Sequence, residues 1–156
     1  MLPTPALPQK KKAPARRPAA PAKPPAPDLS AVAAQAAEQL KVLTQFIYLY
    51  GKVSNGLELE ADQAKQGASS AALQEKSKKM RESLVASVSG LRMGVENLAQ
   101  SFHDNPRLQT QYLKVLNASE AIASAERSVS DGRFDEAGKA LVAAAWRLAD
   151  AVAAVR

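Results

Sequence analysis

Apolar residues recur along this chain at alternating spacings of three and four, in four stretches separated by short polar breaks. That spacing keeps one face of an α-helix apolar, and where it is sustained it makes a heptad-like, coiled-coil stripe. The first stretch follows Asp28 and runs through Ala33, Ala36, Leu40, Leu43, Ile47, Tyr50, Ser54, Leu57, Ala61 and Ala64. Asp28 suits the N-cap, because its carboxylate can accept from the free N–H groups of a first turn. Gln66-Gly67-Ala68-Ser69-Ser70 breaks the pattern. Gly67 is placed to end the first helix and Ser69 or Ser70 to cap the second. The second stretch carries Leu73, Ser77, Met80, Leu84, Val88, Leu91, Val95, Leu98 and Phe102, and ends at His103-Asp104.

Asn105-Pro106 reads as a helix start, since proline at the first helical position loses no hydrogen bond. The third stretch holds Leu108, Tyr112, Val115, Ser119, Ile122 and Val129, and Asp131-Gly132 closes it. The fourth holds Phe134, Ala137, Leu141, Ala145, Leu148, Val152 and Val155. Four helices with short connections predict an all-α fold, an up-down-up-down four-helix bundle. The first two helices each exceed 30 residues, roughly 50 Å, against about 35 Å for the last two. The shorter pair can therefore cover only Asp28 to about Val53 and Met80 to His103, which predicts a projecting helical hairpin at about 54–79. Its stripe thins to alanine and serine, and Glu58 and Glu60 fall opposite Lys78 and Lys76. A competing reading breaks the first helix at Asn55-Gly56.

Two helices carry a second apolar stripe: Val42, Phe46, Leu49 and Val53 on the first, and Val142, Trp146, Ala149 and Ala153 on the fourth. A helix apolar on more than one face is normally buried on more than one face. The two stripes are expected to meet in the seam between the first and fourth helices. The other reading makes Val142, Trp146, Ala149 and Ala153 a partner or dimer interface anchored by tryptophan, a residue type enriched at binding hot spots.

Charge changes this picture at the N-terminus. Residues 1–27 hold nine of the ten prolines and six cations (Lys10, Lys11, Lys12, Arg16, Arg17 and Lys23) with no acidic residue, so the remaining chain is neutral. Proline at this density removes backbone donors and favours polyproline II, so the segment reads as a disordered tail and residues 28–156 as the helical bundle domain. Six cations on a tether suit a polyanion, most readily nucleic acid, with affinity that falls steeply with salt. An anionic membrane surface would attract them by the same physics. Pro18-Ala19-Ala20-Pro21-Ala22-Lys23 also fits a PxxPx(K/R) ligand for aromatic-lined grooves.

Catalytic and metal-binding patterns are missing from the sequence. There is no cysteine, a single histidine (His103), no paired Glu-x-x-His, no glycine-rich phosphate loop and no nucleophile elbow. No cofactor or metal is expected. His103 ends a helix, where the dipole favours a cation. Gly90 and Gly94, four apart within the second helix, permit close approach of another helix, and Glu126 on the third stripe suggests a frayed last turn. No apolar run reaches the roughly 18 residues of a transmembrane helix, and no signal-peptide h-region follows the basic segment, so a cytoplasmic location is expected.

Asp131-Gly132-Arg133-Phe134-Asp135-Glu136-Ala137 resembles the tight helix–helix turn of tetratricopeptide units, occurring once. The pairing of Ala-rich helices with a Lys/Pro/Ala tract resembles phasin-like granule proteins in composition, although the tract here lies at the N-terminal end. The reading that follows is a non-enzymatic helical-bundle interaction or adaptor protein. Its body holds a protein partner or a second copy, and its basic tail tethers it to a polyanion. The alternative, which the phasin resemblance implies, is a structural protein coating a granule or membrane surface, with the tail as anchor or spacer.

Overall fold

A computed structural model describes residues 28–67 and 70–155. The described chain is helical, with no strand. Helices α1 (Leu29–Lys65) and α2 (Ala71–His103) are followed by one 3₁₀ turn (Pro106–Leu108), α3 (Gln109–Ser130) and α4 (Phe134–Ala153). The caps expected at Asp28, Ser70 and Asn105 form, but Asn105 caps the 3₁₀ turn and α3 itself starts later, at Gln109, behind Leu108, which makes no side-chain cap bond. The Asp28 carboxylate accepts from the Ser30 N–H at 3.0 Å, and the Ser70 hydroxyl accepts from the Leu73 N–H at 3.3 Å. Asn105 accepts from the Arg107 N–H at 3.1 Å, with Pro106 next in the chain. Gly67 and Gly132 end α1 and α3 with φ of 74° and 75°, in the left-handed region that glycine enters at no steric cost. The Arg133 N–H then reaches back to the Ser128 carbonyl at 2.8 Å, closing the turn between α3 and α4.

Helix α1 runs unbroken through Asn55-Gly56. Gly56 costs a helix interior about 1 kcal/mol relative to alanine. Buried Ser54 and Leu57 on either side hold this turn against the core, which outweighs that cost. The second reading of α1, as two helices, is thereby set aside.

Each helix packs on its neighbours in the chain, and α1 also packs on α4. Phe102, Leu43, Ile122, Leu141 and Leu148 are the largest fully enclosed side chains. The α3–α4 seam is built on alanine: Ala118, Ala121 and Ala125 on α3, and Ala137, Ala144 and Ala151 on α4, are all buried. Small side chains let two backbones approach closely, and these two helices share the most extensive contact in the molecule.

Burial ends partway along the two long helices. The last buried residue of α1 is Leu57 and the first of α2 is Leu84. Residues 58–65 and 71–79 contain none. The Ser77 hydroxyl donates to the Glu60 carboxylate across these two arms. The ion pairs expected to join them, Glu58 with Lys78 and Glu60 with Lys76, do not form. The arms' ion pairs stay within one helix instead, Lys65 with Asp62 and Lys79 with Glu75.

Candidate functional site: an aromatic groove between α1 and α4

Four residues of α4 follow one another at steps of four: Phe134, Gly138, Val142 and Trp146. At 3.6 residues per turn each such step rotates about 40° around the helix axis, so the row turns by roughly 120° over its length. It begins at buried Phe134, passes through half-buried Gly138 and Val142, and ends at Trp146, which is 71 % exposed. Helix α1 supplies the opposite wall from Ile47, Tyr50, Gly51, Ser54 and Asn55. Between them lies an apolar groove of about 740 Å³ with the indole on its rim.

Tyr50 crosses the floor. Its hydroxyl donates to the Phe134 carbonyl at 2.7 Å, and its ring lies 3.4 Å from where a side chain on Gly138 would begin. Burial, reinforced by Glu58 and Asp135, pushes the phenol pKa up to about 12, so this hydroxyl stays a neutral donor. Phe134 is backed by the Arg81 guanidinium, 5.8 Å from the ring centroid. Glu58, Asp135 and Lys139 line the groove towards its end away from Trp146. Asp135 is engaged by Lys139 at 2.6 Å, a contact that raises the lysine pKa. Glu58 has no cationic partner among the described residues.

Of the interface residues read from the sequence, Val142 and Ala149 are half-buried, while Trp146 and Ala153 are exposed. Trp146 therefore does not fill a closed seam between α1 and α4, and the physical reason lies in α1. Gln39 of α1 meets Gly94 of α2, 2.7 Å from where a Cβ would stand. Phe46 and Val53 follow Gln39 at steps of seven, so they share that side. The second stripe of α1 thus turns towards α2, away from Trp146. Leu49 in that stripe is 56 % exposed. Gly90, the companion of Gly94, faces open space.

Glu126 is not at a frayed end. Its carboxylate accepts from Arg92 Nε at 3.0 Å, joining α3 to α2, and Arg92 also pairs with Glu96 at 2.9 Å. The two carboxylates raise the Arg92 pKa. Sequence reasoning missed this pair, although a basic residue beside Leu91 and an acidic one on the facing stripe were its visible signal. His103 stacks edge-on against Tyr112, centroids 5.1 Å apart.

Among the described residues there is no cluster of His, Cys, Asp or Glu suited to a metal, and no helix is long and apolar enough to cross a membrane. The six cations assigned to polyanion binding, Lys10, Lys11, Lys12, Arg16, Arg17 and Lys23, lie outside the described residues. No family model, curated protein or solved structure matches this chain.

Proposed function

We propose that the protein is a non-enzymatic interaction module. On this reading an up-down-up-down bundle with a projecting α1–α2 hairpin presents the α1–α4 groove to an apolar partner segment. The N-terminal cations meanwhile tether the molecule to a polyanion, with nucleic acid the best match. The observation that carries it is Trp146, a large apolar side chain left 71 % exposed beside an apolar groove. Aromatic anchors at the edge of a pocket contribute disproportionately to binding. The asymmetry of charge supports the second half, since all six excess cations precede Asp28.

Duplex DNA binding by the full chain, followed across salt concentration, tests the tether. Neutralising at most six phosphates limits the log–log slope to no steeper than about −5. A full-length variant with the six cations changed to glutamine is expected to lose binding. Undiminished binding by that variant would overturn the assignment.

A further inference from the structure

We propose that the chain's own N-terminal segment folds back along the α1–α4 groove, laying Pro18 and Pro21 against Trp146 and bringing Lys10 to Lys12 beside Glu58 and Asp135. The segment is long enough. Ile47, which shares the groove with Trp146, lies 19 residues beyond Asp28, roughly 29 Å along α1. Pro18 precedes Asp28 by ten residues, roughly 31 Å in polyproline II. Glu58 lies roughly 45 Å from Asp28 along the helix, and Lys12, sixteen residues before Asp28, reaches about 50 Å. One extended segment therefore matches both ends of the groove. Lys23, five residues before Asp28, cannot reach Glu58.

The segment also suits the groove chemically. Aromatic-lined grooves bind proline-rich segments because the ligand is already extended and loses little entropy on docking. With three residues per turn, Pro18 and Pro21 share one face of the segment. The groove offers the exposed Trp146 indole for that face and, at its other end, Glu58, which has no cationic partner among the described residues, beside Asp135 and its partner Lys139. The covalent link raises the effective concentration of the ligand, so modest contacts suffice. The docking extends the proposed function and rests on its reading of the α1–α4 groove as a binding site. The lysines that would hold a polyanion are the ones that would close the groove, so the two engagements compete.

Trp146 is the chain's single tryptophan, so its fluorescence reports on the groove alone. Acrylamide quenching is compared in the full-length protein and in two full-length variants, K10E/K11E/K12E and P18G/P21G. The quenching constant is expected to rise by roughly a factor of two or more in both variants, because the covered population is lost. It is expected to rise likewise when a 20-base-pair DNA duplex is added to the wild type at low salt. Equal quenching in all three proteins overturns the docking. Protection that survives in both variants and grows with protein concentration overturns it too, and gives the groove to a second copy. Duplex binding that leaves quenching unchanged rejects the docking while the polyanion reading stands. Protection lost in the variants, with no duplex binding by the wild type, supports the docking and rejects the polyanion reading.

Discussion

Residues 84–103 and 71–79 belong to one uninterrupted helix, and the same three-four register runs through both. In the first stretch Leu84, Val88, Leu91, Val95, Leu98 and Phe102 are buried; in the second nothing is. The difference lies outside α2. The first stretch faces α3 and the Asp28–Leu57 part of α1, whereas the second faces only the thin end of α1. Helical periodicity alone does not bury a side chain. Burial needs a partner at the same height, and two short helices cannot supply one along the full length of two long ones.

Core truncation is expected to separate the two stretches by the largest margin. Phe102→Ala is expected to cost about 3–5 kcal/mol, as large-to-small changes in enclosed sites do. Leu59→Ala, in the arm of α1 and 62 % exposed, is expected to fall within about 0.5 kcal/mol of wild type. Urea denaturation of the two variants measures both. A cost above about 2 kcal/mol at Leu59 would show the arm to be covered in solution.

Hydrogen exchange is expected to divide the same helices. Amides of 58–65 and 71–79 are expected to exchange through openings at least about 2 kcal/mol below the global unfolding free energy, while those of 84–98 track global unfolding. Uniform protection would mean that a second subunit encloses the arms.

Tyr50, inside the covered part of α1, gives a smaller, pH-dependent effect. Its folded-state pKa is raised to about 12 from an ordinary value near 10, so the folded protein holds this proton more tightly than the unfolded chain. The associated stability is complete below about pH 10 and is lost as pH rises towards 12. After allowance for screening the loss is roughly 1–2 kcal/mol. The fall in urea midpoint between pH 9 and pH 11.5 should be shallower in Tyr50→Phe. Parallel curves would assign the fall to other groups.

A small change, comparable to that at Leu59, is expected at Trp146. Because the indole is exposed, Trp146→Ala should alter stability by less than about 1 kcal/mol and leave helicity intact. A cost in the range of core truncations would place the side chain in a closed seam.

Much of the fold was legible because helix ends are written locally. Asp28, Ser70, Asn105, Gly67 and Gly132 each act on backbone groups within a few residues, and their chemistry needs no tertiary context. The groove was less legible. Val142 and Trp146 were singled out from spacing, but spacing does not state which neighbour a second stripe will face. Phe46 and Val53 turn towards α2 because Gln39, seven residues before Phe46, lies against Gly94. That contact joins residues 55 positions apart. The Arg92–Glu126 bridge is equally non-local. Asn55-Gly56 misled in the opposite direction, since a local breaker was overridden by burial on both sides.

The absence of buried side chains in residues 58–65 and 71–79 also bears on how such a chain tolerates change in length. Removing one heptad from each arm, or adding one, would leave every enclosed residue in register with its neighbours, because both cuts fall beyond Leu57 and before Leu84. An unmatched heptad deletion in one arm would instead turn the far helix by only about 20° but shift it by about 10 Å along its axis, moving its enclosed residues away from their neighbours. Related chains should therefore vary in the length of these two arms by paired multiples of seven, while the spacing from Leu84 to Val152 stays fixed.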